Sequence, residues 1–407
     1  MRQIFILQNS QLSFGLDAGK IYQPHKYKLY LIVNDFGYEI VKRKKEYDFY
    51  EKIINTNNFD FENVLSLIVS CLLSNNSFDV VTNSEETMAV CGKIRKFLNL
   101  DTDDYSRFCD KHVMKTRLKD NEVVSIPKYK LFDTRDYLKN GEEYLRSLAN
   151  HLSFPLFIKP VNQLSSMNLT KIANLNDLHV WAKTVKPEDY YEIDEFIEGT
   201  MYHCDSYIKD NKILFTFVSR NSRPCYDFII GKIKGTIVLP DDHLDSILLT
   251  DITEKTLILL GLPKGGVTHL EVIKTKENKV YFIEIAHRSP GCLIPKMYQR
   301  YANIDTIASH FLLQIDSDYI PAQIRGDYAA WACFPKIPGK IVALNKPPLN
   351  LESTIELEWN VNIGDEIKSY SQFGRDYTGT IFITNPSFET LYDEFQVMNE
   401  NNLCEIA

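Results

Sequence analysis

The chain has 407 residues, 44% of them hydrophobic and 25% charged, with a formal net charge of -8. That length exceeds what one hydrophobic core usually supports, so two or three domains are expected. The acidic balance argues against a general nucleic-acid binder, whose footprint is basic, and no apolar run is long enough for a membrane span.

The opening MRQIFILQNSQ turns polar too soon for a signal peptide, which points to a cytoplasmic protein. Ile4 to Leu7, Lys28 to Val33 and Phe78 to Val81 read as short buried strands. LSLIVSCLL and TMAVCGKIRKFLNL carry helical spacing between and after them, and this alternation implies a parallel sheet. No Gly-x-Gly-x-x-Gly follows the first strand, so a dinucleotide fingerprint is absent. The eight cysteines, at positions 71, 91, 109, 204, 225, 292, 333 and 404, show no Cys-x-x-Cys spacing, so reduced thiols are expected rather than zinc or disulfides.

From Tyr105 the chain reads as a basic amphipathic helix with Lys111 in its first turns, placed either to meet a phosphate or to lie on a solvated face. Leu156 to Lys159 reads as a strand ending in a lysine, followed by a loop rich in serine and asparagine. This is either a phosphate clamp or simply a strand that ends at a turn. In the following strand-and-turn segment, Asp194 to Gly199 is the punctuated centre, where exposed main-chain groups could hold a purine edge. A helix from Ile252 to Leu260, ending at Gly261, leads into the most informative stretch.

That stretch, Gly265 to Gly291, reads as a hairpin whose strands, Thr268 to Lys274 and Lys279 to Ala286, flank a polar Thr275 to Asn278 turn. A turn centred between Lys276 and Glu277 sets Glu284 opposite His269 and Glu271 opposite Phe282. Both carboxylates then share a face with the imidazole, while Leu270, Val272, Tyr281 and Ile283 point the other way. Two acids diagonal across a strand pair lie roughly 7 Å apart at their backbones, within reach of a common Mg²⁺. Arg288 follows, a guanidinium able to fork onto phosphate or carboxylate oxygens. The alternative is a half-exposed hairpin with solvated acids. Beyond it, Leu293 to Ile315 contains an amphipathic helix, and strands, turns and a closing helix complete the chain.

These pieces resemble the ATP-grasp superfamily and its carboxylate–amine ligases that act on amino acids. The residues that carry the resemblance are Ser84-Glu85-Glu86, Asp110-Lys111, Ile158-Lys159-Pro160, Glu195 to Gly199, Gly-Val-Thr-His-Leu-Glu ending at Glu271, Glu284 to Arg288, Ser289 to Pro295 and Pro338-Gly339-Lys340. The resemblance implies an ATP-grasp fold of mixed α/β and α+β class. Its parts would be a parallel α/β domain over 1–104, an ATP-grasp domain over 105–315 with a lid at about 155–220, and an α+β region over 316–407.

It also implies ATP phosphates on Lys111, Lys159 and the loop Ser166, and adenine on the backbone of Glu195, Phe196 and Ile197. Mg²⁺ (or Mn²⁺) would sit on Glu271 and Glu284, and Arg288 and His269 would orient the acyl phosphate and the acceptor. The implied activity is an ADP-forming ligation of a small-molecule carboxylate to an amine, with a homodimer as the default assembly. A nucleotide-binding protein without turnover, or an ATP-grasp enzyme with another acceptor, is the alternative. Ala286 stands where the superfamily often has asparagine, and Met201 where an acid often binds ribose.

Overall fold

The computed structural model describes residues 1–9, 15–73, 76–101, 105–161, 169–348 and 350–407. Among them the strands form four sheets. The first is parallel, in the order Lys52–Asn55, Tyr27–Val33, Arg2–Gln8, Phe78–Thr82. Its central strands are apolar at nearly every position because both faces are covered. Ile4 and Ile6 pack with Phe311, Leu312 and Ile315 from the Thr306–Ile315 helix. Phe5 and Leu7 point the other way, against Val64, Ile68, Val90 and Ile94 of the Phe61–Cys71 and Glu85–Phe97 helices. The Lys52–Asn55 edge strand, absent from the sequence reading, is half exposed and has polar residues at both ends.

The largest sheet has eight antiparallel strands, and its first three in spatial order are Val280–Ala286, Gly265–Lys274 and Thr200–Lys209. Leu270, Val272, Val280, Phe282 and Ile285 form one face of that end of the sheet. They pack with Leu249, Leu257 and Leu260 of the Leu244–Leu260 helix and with Met114 and Leu118 of the Lys111–Leu118 helix. Each such side chain removed from water contributes about 1.5–3 kcal/mol. The Leu244–Leu260 helix starts eight residues before the expected Ile252, capped by the His243 side chain. Its first turns hide their helical period because Leu244 and Ile247 face solvent. The single helix expected within Leu293 to Ile315 is two, Ile294–Ala302 and Thr306–Ile315, divided by Asn303 at φ 54° and restarted by the Asp305 cap.

A small antiparallel sheet, in the order Tyr129–Leu131, Tyr191–Glu195, Leu156–Pro160, Thr170–Ile172, buries Leu156, Ile158 and Ile193 beneath Leu145, Leu148, Leu152 and Leu178. Alternation turns Phe157, Lys159, Glu192 and Asp194 to its other face. Gly199 joins this sheet to the large one, and a Cβ there would collide with the Lys274 carbonyl. A fourth, short sheet pairs Gly339–Leu344 with Glu366–Ile367 and Cys404–Ile406. No helix among the described residues is long and apolar enough to cross a membrane.

Candidate active site

The polar face of the small sheet and one face of the large sheet border a cavity of about 590 Å³, a size typical of small-molecule sites. Three adjacent strands of the large sheet supply its floor. His203 lies beside Glu271, and Glu271 beside Glu284; two residues along, Asp205 lies beside His269, and His269 beside Ala286. The two carboxylates are therefore direct cross-strand partners, not the diagonal pair expected.

The register differs because a bulge falls between Glu271 and Val272, so Val272 pairs with Phe282 and Ile283 is left over. The bulge also reverses the alternation of the second strand. Phe282, expected beside the acids, is fully buried in the core, while Ile283, expected in the core, lines the cavity next to Glu284. Like charges directly opposite on a strand pair repel, so this pair calls for a cation.

Lys111 provides one. The Asp110 side chain accepts from the Val113 N–H and starts the helix at Lys111, whose ammonium lies 2.6 Å from Glu284 Oε2. Burial raises the Glu284 pKa, but Lys111, Lys159 and Arg288 outweigh it and hold the carboxyl down at about 2. Burial likewise disfavours the Lys111 charge, and Glu284 overrides it to raise the pKa. Arg288 is also paired: its Nε and Nη2 donate to Glu85 Oε2 at 2.9 and 2.8 Å. Glu85 belongs to the Ser84-Glu85-Glu86 run at the start of the Glu85–Phe97 helix, so the amino-terminal sheet reaches the cavity through this contact.

Two clusters were not expected from the sequence. One turn after Lys111, Lys115 is fully buried, 2.6 Å from both Glu192 and Asp194, and Asp194 also holds Lys159 at 2.7 Å. The i, i+4 spacing of the two lysines was the available signal. The second cluster is His203, Asp205 and His269. Both imidazoles donate from Nδ1 to Asp205, at 2.8 and 2.7 Å, and the Tyr298 hydroxyl donates at 2.5 Å. Burial opposes the Asp205 charge, but the two histidines lower its pKa; the same carboxylate lifts His269 to about 9 against burial. Burial lowers the His203 pKa, and among the described residues its Nε2 has no partner at the cavity wall. Alternation of His203 and Asp205 along one strand carried this signal.

The Glu195 to Ile197 segment lines the cavity at its junction with the small sheet. The Glu195 N–H donates to Lys128 O and the Phe196 N–H to Pro155 O, while the Ile197 N–H has no protein partner among the described residues. The Lys171 ammonium sits 3.8 Å above the Phe196 ring. His269, Glu271, Glu284, Arg288, Lys111, Lys159, Glu195, Phe196 and Ile197 thus share one cavity; Ser166 lies outside the described residues.

Residues 118–313 match the family model described as D-ala D-ala ligase C-terminus. The L-arginine-specific L-amino acid ligase of Bacillus subtilis is 23% identical over 63% of this chain and 62% of its own length. The chain thus spans less than two thirds of that curated relative. The crystal structure of an L-amino acid ligase from Bacillus licheniformis superposes with a TM-score of 0.70 at 17% identity, covering 100% of this chain and 98% of that one. An N5-carboxyaminoimidazole synthase from Aspergillus clavatus, solved with ADP, gives a TM-score of 0.67 at 13% identity over 98% of each chain. In its fold, and over residues 118–313, just under half of its length, the chain is similar to ATP-grasp ligases.

Proposed function

We propose that this chain is an ATP-dependent ligase that joins a small-molecule carboxylate to an amine, one of them an amino acid, with release of ADP and phosphate. The observation that carries this reading is the Glu271–Glu284 pair facing Lys111, Lys159 and Arg288 across one cavity. The similarity to the Bacillus subtilis and Bacillus licheniformis amino acid ligases supports it.

In this reading the backbone of Glu195 to Ile197 borders the adenine, with the Ile197 N–H available to it. Lys111 and Lys159 meet the phosphates. Glu271 and Glu284 are the oxygen donors for Mg²⁺ (or Mn²⁺), a fit supported by two opposed carboxylates with their charge only partly neutralised by Lys111. Bound there, the ion neutralises charge on phosphate oxygens. The substrate carboxylate attacks the γ-phosphorus and expels ADP; the amine then attacks the acyl carbon of the acyl phosphate and expels phosphate. Arg288 stabilises charge on the acyl phosphate. His269, fixed by Asp205, orients the acceptor. No nucleophile from the protein is needed. We place the lid, expected at about 155–220, on the small sheet instead, whose strands run from Tyr129–Leu131 to Tyr191–Glu195, and take the protein to be cytoplasmic and, by default symmetry, a homodimer.

Incubation with ATP, Mg²⁺ and paired amino acids, followed by mass spectrometry, tests the reading. ADP formed in step with an amide supports it. ADP formed without amide would replace it with an ATP-grasp enzyme using another acceptor, and nucleotide binding without ADP would replace it with a binding protein.

A further inference from the structure

Most cations that line the cavity have an acidic partner within ion-pair distance. Lys111 has Glu284, Lys159 has Asp194, Arg288 has Glu85 and Lys296 has Glu356. Lys234 does not: among the described residues no carboxylate lies within ion-pair distance of its ammonium. It opens the Lys234–Val238 strand, opposite Cys333, and is only partly exposed, toward the cavity. Its ammonium lies near the Cys225 thiol and against Gly374.

The wall around it is made of Cys225, Tyr226, Cys292 and Trp331. Burial pushes the Cys225 thiol up to about 11 and the Cys333 thiol well above its ordinary value, so both are neutral near pH 7 and supply no counter-charge. Two residues along the same strand, Thr236 donates to Asn221 Oδ1 at 2.9 Å, which leaves the Asn221 amide N–H groups as further donors on this wall. A half-buried ammonium beside neutral thiols, with Glu271 acting on it only from beyond ion-pair distance, is costly to keep unless a closer anion meets it.

We propose that Lys234 anchors a substrate carboxylate other than the one being activated, so that the substrates of this cavity include one with an additional carboxylate. The assignment rests on the ligase reading, in which Lys111, Lys159 and Arg288 serve the phosphates and the acyl phosphate and leave Lys234 to the substrate. The additional carboxylate is either an acidic side chain or the α-carboxylate of the amine substrate.

Calorimetric titration of the full chain separates these sources. The probes are L-glutamate, L-glutamine, L-isoglutamine, L-aspartate and L-asparagine, with Mg²⁺ and a non-hydrolysable ATP analogue present. An acid is expected to bind tighter than its amide by about tenfold to a hundredfold, and Lys234→Met is expected to remove that preference. A preference for glutamate over glutamine, or aspartate over asparagine, assigns the side chain; one for glutamate over isoglutamine assigns the α-carboxylate. Lys234→Gln replaces the methionine variant should that not fold. No preference in the native chain, a preference that survives the substitution, or an equal loss of affinity for the ATP analogue overturns the proposal. Binding does not require turnover, so a carboxylate preference without ADP release would sink the ligase reading alone.

Discussion

Lys111 and Lys115 stand one helical turn apart, but only Lys111 of the two lines the cavity, and their surroundings differ. Lys115 is fully enclosed and reaches two carboxylates, with Lys159 completing a balanced group of two lysines and two acids. Lys111 has one close partner, Glu284, and both side chains of that pair retain exposure, 17% and 29%. An enclosed charge that keeps all its partners fixes the small sheet to the helix. A charge at the cavity wall with one partner can exchange that partner for an anionic ligand.

Removing a member of the enclosed group has the largest expected effect. Lys115→Met leaves Glu192 and Asp194 buried with one cation between them, and denaturant unfolding is expected to show a loss of about 3–5 kcal/mol. A loss below about 1 kcal/mol would erase the contrast. Glu284→Gln is expected to lower the turnover rate on the order of 10²–10³-fold. Its unfolding midpoint should stay near that of the native chain, because repulsion with Glu271 is relieved as the Lys111 pair is lost.

A smaller and pH-dependent effect belongs to His310, which ties the two large units together. Its Nδ1 accepts from the Val267 N–H at 3.0 Å and its Nε2–H donates to Thr82 O at 2.8 Å, so the ring is neutral. Burial lowers its pKa from 6.5 to about 4. The folded state therefore resists protonation more than the unfolded chain does. The stability is complete above pH 6.5 and falls as the pH drops toward about 4, by on the order of 3 kcal/mol. His310→Gln should flatten that part of the stability profile. Smallest of all, Lys255→Ala removes an exposed helical pair with Asp251 and should change stability by no more than about 0.5 kcal/mol.

Residue pattern alone carried much of this architecture. The parallel amino-terminal strands were legible because burial on both faces leaves continuous apolar runs such as Ile4 to Leu7. The shared face of His269, Glu271 and Glu284 was legible because strands alternate, although the register was not. The bulge that leaves Ile283 unpaired involves no glycine or proline to announce it, and it interchanged the expected positions of Phe282 and Ile283. Lys115, Asp205 and Lys234 escaped notice because what distinguishes each is its surroundings, contributed by residues distant in sequence. Gly266 shows the same limit: at φ 116° it lets His287 and His310 approach, a reason visible only in three dimensions.

The account depends most on Glu271 and Glu284 holding a divalent ion together with nucleotide phosphates. Electron paramagnetic resonance of Mn²⁺ titrated into the chain with ATP tests this without requiring turnover. The account predicts ATP-dependent Mn²⁺ binding to the native chain and its loss in both Glu271→Gln and Glu284→Gln. Undiminished Mn²⁺ binding in both variants would contradict it.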